Sequence, residues 1–215
     1  LGGFVHPAIL AQESLTGVIA HRVAQRLDRP EAPYTMIRQA FDACLDHEPV
    51  LLDAVRADLL AVLERDPACN RLIEPVLYFK GFHALQTHRF AHALMRQGRK
   101  DFALYLQSRS SEIFQTDINP DARIGRGVFL DHATGLVVGQ TAVVEDDVSI
   151  LQGVTLGGTG KATGDRHPKI RHGVLIGAGA KILGPVNISD DARVSYNSVI
   201  IEDVKKSNDS DIFYI

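Results

Sequence analysis

An aspartate and a histidine stand side by side in a stretch that is otherwise apolar and small. The stretch is GVFLDHATGLVVG, and the pair is Asp131 and His132. The ordinary pKa of an imidazole is near neutral pH, so a positioned histidine can take the proton from an attacking hydroxyl group. A carboxylate beside it can bind a cationic part of a substrate. The alternative interpretation is a corner of the fold that holds a satisfied polar pair and does no chemistry.

A second group of charged residues follows a glycine-rich segment. The sequence is TLGGTGKATGDRHPK, and it ends with Arg166, His167 and Lys169 close together. The glycines and the lack of a strand pattern predict a flexible loop. Such a loop is either solvated surface or a lid that carries Arg166 and His167 onto a substrate. Arginine is well suited to a bidentate contact with a carboxylate.

The elements that must position these residues repeat every six residues. From Ile118 to Val154, and again from Ile170 to Ile200, every sixth residue is aliphatic. A strand alternates every two residues and a helix repeats every 3.6, so neither predicts this pattern. Hexapeptide repeats do, because three hexads make one triangular coil and stacked coils bury the aliphatic side chains. The interval between Val154 and Ile170 is ten residues longer than one hexad, which predicts a ten-residue excursion.

The first half of the chain has helical spacing instead. In EPVLLDAVRADLLAVLERD, apolar residues recur at intervals of three and four. We therefore predict an α+β chain with an all-helical domain at 1–112, which packs and oligomerises. A parallel β-helix follows at 113–204, with a loop at 155–169, and 205–215 forms a C-terminal tail. The period alone does not determine the hand of the β-helix.

The composition favours a cytoplasmic protein with a proper core. Hydrophobic residues make up 45% of the 215, and the net charge of −3 argues against a nucleic-acid surface. No apolar run approaches the roughly 20 residues needed to span a bilayer, so no membrane contact is expected. The first residues lack the pattern of a signal peptide. Cys44 and Cys69 have no metal-ligand spacing and are predicted to be buried thiols.

Taken together, these motifs resemble the serine O-acetyltransferases, a family of hexapeptide-repeat acyltransferases. The resemblance rests on DHATG, LGGTG and GDRHPKI in this order, after a helical half. It is dense from Asp117 to Gly184 and looser over the helices. It implies a left-handed β-helix and direct acetyl transfer from acetyl-CoA to L-serine, which is the first step of cysteine synthesis. No metal is implied.

The resemblance also implies partners. The chain is expected to form a homo-oligomer, either a trimer or a dimer of trimers. L-cysteine is expected to act as a feedback inhibitor at the serine site. The tail ends in Ile215, which by resemblance could dock into O-acetylserine sulfhydrylase.

By the same resemblance, two residues carry the chemistry. His132 is the general base that activates the serine hydroxyl group. Asp117 matches the acid that holds the imidazole in its tautomer and stabilises the imidazolium. The alternative for Asp117 is a capping role at the first coil.

The resemblance assigns binding roles to further residues. Asp66 and Asp131 would bind the ammonium group and side-chain end of serine, whereas Arg166 and His167 would bind its carboxylate. Asp66 precedes a proline and could instead be a helix N-cap. Acetyl-CoA is expected along the coils between neighbouring subunits, where small residues let its pantetheine arm approach the backbone. These small residues are Gly157, Gly158, Gly177, Ala178 and Gly179.

Three alternatives remain open at this stage. The chain could be another hexapeptide acyltransferase that acts on homoserine, another amino acid or a sugar. It could be a metalloenzyme of the carbonic anhydrase type, with zinc ligands drawn from His132, His167 and His172, although their spacing is not metal-like. It could also be a non-catalytic scaffold. The sequence departs from the family at Gln140, where an acid is expected, and after Gly184, where the closing segment differs.

Overall fold

A helical half precedes a coiled half in the structure, a computed structural model that describes residues 2–160 and 163–205. A π-helical segment, His6–Leu10, follows the first helix. Within the described residues the α-helices are α1 Gly2–Val5, α2 Leu15–Leu27, α3 Tyr34–His47, α4 Leu51–Arg65, α5 Ile73–Tyr78, α6 Lys80–Arg96 and α7 Lys100–Phe114.

Helix α6 is the central helix of this half, because buried residues, polar as well as apolar, cover nearly all of its faces. Phe90 stacks on Phe41 of α3 with the ring centroids 3.9 Å apart. Leu85, on another face, belongs to the apolar core of the coiled half. In return, Phe129 of the coiled half packs into the helical core. The two halves therefore share buried surface.

The coiled half is a parallel β-helix with three faces. Each face is a parallel sheet, with strand orders β1-β4-β7-β10-β13, β11-β8-β5-β2 and β12-β9-β6-β3. The strands are β1 Thr116–Ile118, β2 Arg123–Ile124, β3 Phe129–Leu130, β4 Leu136–Val138, β5 Val143–Val144, β6 Ser149–Ile150, β7 Thr155–Gly157, β8 Lys169–Ile170, β9 Leu175–Ile176, β10 Lys181–Leu183, β11 Asn187–Ile188, β12 Arg193–Val194 and β13 Val199–Ile200.

The register of the first coil differs from the one that steps of six predict. Ile118 pairs with Val138, not with Leu136, so two extra residues lie in the corner between β3 and β4. Steps of six miss this insertion because each hexad supplies two inward positions, the strand centre and the residue two before it. Leu136 and Val138 are both buried. The insertion falls in the corner that holds Asp131 and His132.

The excursion is also shorter than predicted. Strand β7 keeps 155–157 in the coil, and β8 resumes at Lys169, so the loop spans 158–168 rather than 155–169. In the true register Leu156 and Ile170 are 14 residues apart, which is eight more than one hexad. The prediction of ten came from counting from Val154, which is a buried corner position and not a strand centre.

A buried ion pair joins the helical half to the coils. Asp58 of α4 is fully buried, and both of its oxygens accept hydrogen bonds of 2.7 Å from Arg89 of α6. Asp58 also accepts the N–H of Val128, while Arg89 donates to the carbonyl of Gly125. The pair is compensated by these hydrogen bonds, as a buried charge requires. Sequence periodicity gave no signal for it.

Two further predictions concern the burial of the cysteines and the length of apolar helices. Cys44 and Cys69 are free and buried, as predicted. Burial raises the pKa of the Cys44 thiol to about 11, so it is an inert core residue. Among the described residues, no helix combines the length and the apolar character needed to cross a membrane.

Candidate active site

The corner between β3 and β4 has an unusual backbone. His132 and Ala133 both have positive φ, 54° and 59°, and Gly135 follows with 74°. The left-handed region is unfavourable for residues with a Cβ, so two in succession mark a constrained turn. The turn is held by the segment of the same chain where α7 meets β1, because Thr116 Oγ1 donates to the carbonyl of Ala133 and Gly135 N–H donates to the carbonyl of Gln115. The two inserted residues thus present His132 outward on an ordered corner.

A cleft of about 520 Å³ lies where this corner meets the helical half. Asp66, Asp131 and His132 line it, together with residues 78–81. Asp66 ends α4 and accepts the N–H of Ala68, so it is the C-cap and not the N-cap that was the alternative prediction. The structure therefore brings three of the predicted site residues together from both halves of the chain.

The electrostatics of the cleft favour a cationic ligand. Partial burial raises the pKa of the Asp131 carboxyl; His132 opposes this shift, and the nearby Asp66 carboxylate adds to it. Two carboxylates that repel each other are stabilised by a cation between them. His132 Nε2 lies 3.6 Å from Asp131 Oδ1, and 74% of the His132 side chain is exposed, so the imidazole is accessible to a substrate.

Two neighbours of this corner escaped sequence analysis. Lys80, at the start of α6, lines the cleft and donates a hydrogen bond to Thr134 Oγ1. Gly81 lies so close to the coil that a Cβ there would sit 2.2 Å from the carbonyl oxygen of Leu130. Gly81 is what allows the N-terminus of α6 to reach the cleft.

Asp117 lies outside this cleft in the described chain. Its Oδ1 accepts a hydrogen bond of 2.7 Å from Gln107 of α7, and it lines a separate groove with other residues of that helix. Strand β1 nevertheless passes beside the His132 corner, since Thr116 bonds to Ala133. Within a single chain, the carboxylate of Asp117 therefore lies against α7.

Arg166 and His167 lie at the returning end of the loop, on the corner after β4. The imidazole of His167 packs on Gly139, where a Cβ would come within 2.0 Å of the ring. Thr141 bonds both to the ring and to the loop backbone. Burial, then the charges of Arg166 and Lys169, lower the pKa of His167, which favours the neutral ring.

The two groups of site residues occupy opposite edges of one β-helix face. His132 lies before β4 and the Gly139–His167 contact lies after it. At about 3.3 Å per residue, the three residues of β4 alone separate them by roughly 10 Å. One small amino acid cannot bridge this distance within a single chain.

Gln140, the departure from the family, links the loop to the first coil. Its Oε1 accepts a 3.4 Å hydrogen bond from Arg166, and its Nε2 donates to Asp121 at 3.0 Å. An amide can do both, whereas a carboxylate could only accept. The acid expected at this position could not donate to Asp121, so Gln140 permits a link between Arg166 and the first coil that a carboxylate could not make.

The glycines predicted to admit acetyl-CoA also have structural reasons. A Cβ on Gly177 would lie 2.6 Å from the backbone of the next coil, and Gly179 has φ of 76°. Gly158 lies under Arg166, while Gly157 faces Leu183. Stacking of the coils explains Gly177 and Gly179 without a ligand.

The metalloenzyme alternative finds no support in the geometry. His132 and His167 lie on different corners, and His172 lines another groove with His92. Residues 2–160 and 163–205 contain no group of three or more His, Cys, Asp or Glu side chains placed to hold a metal ion.

Comparisons with known proteins identify relatives of this chain. The family described as "Serine acetyltransferase, N-terminal" matches residues 1–87. A serine acetyltransferase of Haemophilus influenzae is 48% identical over 204 residues, which is 95% of this chain and 76% of that protein.

Solved structures cover both halves. The serine acetyltransferase of Brucella abortus strain S19 in complex with coenzyme A is 60% identical, with a TM-score of 0.94 over 95% of this chain and 82% of that one. A serine acetyltransferase in complex with cysteine is 48% identical, with a TM-score of 0.93 over 95% and 85% of the two chains. The predicted α+β fold with a left-handed parallel β-helix is confirmed.

Proposed function

The chain belongs to the serine acetyltransferase family, and we propose on this premise that it converts acetyl-CoA and L-serine into O-acetyl-L-serine and CoA. The observation that carries the proposal is the cleft in which Asp66 and Asp131 face an exposed His132. This arrangement combines a site for an ammonium group with a base for a neighbouring hydroxyl group.

His132 is the proposed general base. The neutral imidazole takes the serine hydroxyl proton while the oxygen attacks the thioester carbonyl carbon. The tetrahedral intermediate collapses, the carbon–sulfur bond breaks, and the leaving thiolate takes the proton from the imidazolium. Direct transfer needs no acyl-enzyme, which agrees with the burial of both cysteines.

Asp117 is the proposed orienting acid for His132. Gln107 holds its carboxylate in one chain, and strand β1 runs beside the His132 corner. We propose that assembly of the oligomer lets Asp117 accept a hydrogen bond from the second ring N–H of His132, which fixes the tautomer of that imidazole.

The carboxylate of serine is proposed to bind Arg166 and His167 of a neighbouring subunit. The distance across β4 argues for this, because one chain holds the ammonium site and the carboxylate site on opposite edges of one face. A trimer or a dimer of trimers would bring an edge of one β-helix against the cleft of the next. The helical domain at 1–112 would contribute Asp66 and further subunit contacts.

Acetyl-CoA is proposed to lie along the coils between subunits. The Brucella abortus relative in complex with coenzyme A supports the binding of acetyl-CoA, and the relative in complex with cysteine supports inhibition by L-cysteine. Competition of L-cysteine with serine at one site is part of the proposal. The pantetheine arm of acetyl-CoA would pass Gly157, Gly158, Gly177, Ala178 and Gly179.

We propose the cytoplasm as the location of the protein. We also propose that the C-terminal tail binds O-acetylserine sulfhydrylase through Ile215, a residue that lies outside the described residues.

A thiol-release assay tests the proposal. The protein is mixed with acetyl-CoA and either L-serine, L-homoserine or a galactoside, and free CoA is followed with a thiol reagent. Release that depends on L-serine is expected. Release only with homoserine or the sugar would favour the other acyltransferases, and no release with any acceptor would favour a scaffold.

The variant His132→Ala tests the role of the base. General-base catalysis contributes about 10²- to 10⁴-fold, so kcat is expected to fall by that order while the KM for serine changes little. Circular dichroism confirms that the variant is folded. Turnover equal to that of the unmodified protein would remove His132 from the mechanism.

A further inference from the structure

Thr141 connects the returning loop to the imidazole of His167 through several hydrogen bonds. Its hydroxyl oxygen accepts the N–H of Arg166 at 3.0 Å and the N–H of His167 at 3.2 Å. The same oxygen lies 2.8 Å from His167 Nδ1. With its lone pairs used by two backbone donors, the hydroxyl has two acceptors for its proton, His167 Nδ1 and the Asp165 carboxylate. Lys169 already donates to that carboxylate, which favours Nδ1 as the acceptor of the hydroxyl proton. Lys169 adds a bond of 2.7 Å to the carbonyl of Thr141.

The backbone N–H of Thr141 shows which ring nitrogen acts as the acceptor. It donates to His167 Nδ1 at 3.2 Å, and because a backbone N–H is always a donor, Nδ1 accepts at this contact. This bond is longer than the 2.8 Å contact of the Thr141 hydroxyl with the same nitrogen, so the hydroxyl supplies most of the preference for a neutral ring with its proton on Nε2. Within the described residues no other group bonds to Nε2, which leaves this N–H for an external acceptor. Gly139 leaves the room that the ring needs.

We propose that Thr141 is a positioning residue that fixes His167 as the Nε2–H tautomer and so makes it a hydrogen-bond donor to the carboxylate of the amino acid substrate. The proposal rests on the proposed function, in which His167 and Arg166 bind that carboxylate. The same hydroxyl also fixes the backbone that carries Arg166. Thr141 thereby positions both donors to the substrate carboxylate, His167 and Arg166.

Kinetics of two substitutions test this role. Thr141→Val keeps the shape but removes the hydroxyl, and it is expected to raise the KM for serine roughly tenfold with a smaller change in kcat, as loss of one oriented hydrogen bond to a charged group predicts. Thr141→Ser returns the hydroxyl and is expected to recover most of the loss. Thr87→Val is the matched control, because Thr87 donates a buried hydroxyl to His83 in α6. An unchanged KM in Thr141→Val, or a Thr141→Ser variant as impaired as the valine variant, overturns the proposal.

A spectroscopic measurement tests the tautomer directly. Long-range proton–nitrogen NMR spectra of the full-length protein with ¹⁵N-labelled histidine distinguish an Nε2–H ring from an Nδ1–H ring. The His167 signal is assigned by its absence in His167→Gln. We expect the Nε2–H pattern in the unmodified protein and in Thr87→Val, and a mixture of tautomers in Thr141→Val. An Nδ1–H pattern in the unmodified protein overturns the proposal.

The two measurements separate this inference from the proposed function. If the unmodified protein releases no thiol with serine, the proposed function fails, and the substrate part of the inference fails with it. The NMR result then still decides whether Thr141 fixes the ring. If the protein is active and the Thr141 variants behave as the control does, only the role of Thr141 is wrong.

Discussion

His132 and Ala133 are held in a backbone conformation that costs about 1–2 kcal/mol per residue outside glycine. The hydrogen bonds from Thr116 and to Gln115 compensate part of this cost. The result is an imidazole that is exposed and yet carried by an ordered turn. Such strain is expected where a side chain must be placed for chemistry rather than for packing.

At the residue scale, Gly139→Ala is predicted to impair activity by moving His167. The new methyl group would lie 2.0 Å from the ring, so the ring must shift. A misplacement of about 1 Å in a binding group can lower the reaction rate roughly 10²-fold. We therefore expect kcat/KM for serine to fall by about 10- to 100-fold. Steady-state kinetics measure this effect.

The control for this substitution is Gly3→Ala, where an added Cβ meets no atom within 4 Å. It is expected to retain the kinetics of the unmodified protein. Kinetics of Gly139→Ala equal to those of the control would contradict the packing of His167 on Gly139.

At the scale of elements, helix α6 both supports the cleft and fills the core. Its first residues, Lys80 and Gly81, contact the His132 corner, and its middle packs against α3 and the coils. The cleft therefore depends on how closely α6 approaches β3. The approach is possible because position 81 has no side chain.

Gly81→Ala is predicted to separate α6 from the corner. The methyl group would meet the backbone oxygen of Leu130, which cannot rotate away as a side chain can. We expect a loss of about 1–3 kcal/mol in the free energy of unfolding, typical of overpacking, and a higher KM for serine. Urea denaturation and kinetics measure both, and an unchanged midpoint with unchanged KM would contradict the close approach.

Acid is predicted to destabilise the fold through a buried histidine of α6. His83 is buried with its Nε2 2.7 Å from the carbonyl of Val76, and burial lowers its pKa to about 3. The unfolded chain binds the proton near pH 6.5 and the folded chain does not, so stability is lost as pH falls below about 6.5. The loss attributable to His83 at pH 5 is about 2 kcal/mol.

Urea denaturation at pH 7 and pH 5 measures this contribution. His83→Gln keeps a donor for Val76 but does not titrate, so its stability should fall less between the two pH values. The comparison of the two proteins removes the contribution of the carboxyl groups that they share. An equal loss in both proteins would contradict the lowered pKa of His83.

At the scale of the whole molecule, the proposed ammonium and carboxylate sites lie on opposite edges of one face of the β-helix. A triangular coil presents equivalent corners to its neighbours in a threefold assembly. The separation along β4 therefore has a function if the cleft of one chain is completed by the loop of the next. The activity of one chain then depends on its partner.

Mixed oligomers are predicted to recover activity. His132→Ala and Arg166→Ala are each expected to be nearly inactive alone. When they are coexpressed in equal amounts, about a quarter of the shared sites pair an intact His132 with an intact Arg166 of the neighbour, so about a quarter of the activity should return. The tagged heteromers are purified and assayed for thiol release. No recovery would mean that both residues act within one chain.

The hexad period, the helical spacing and the motifs DHATG, LGGTG and GDRHPKI were sufficient to predict the fold and the family. The helical spacing before Ile118 correctly predicted a helical half. The period did not reveal the two-residue insertion at His132, because inward residues occur at two positions of every hexad. The same ambiguity made the predicted excursion two residues too long.

Within the candidate site, sequence identified the residues that carry charge, and the structure determined which of them meet. Asp66 joins Asp131 and His132 because α4 ends against β3, a contact between segments far apart in the chain. Thr141, Gly81 and the Asp58–Arg89 pair gave no signal, because their roles exist only in contacts with other elements. The sequence by itself determined the local period, through the burial of aliphatic side chains at fixed spacing. The tertiary structure decided which site residues one chain brings together, because that depends on the path of the chain between its elements.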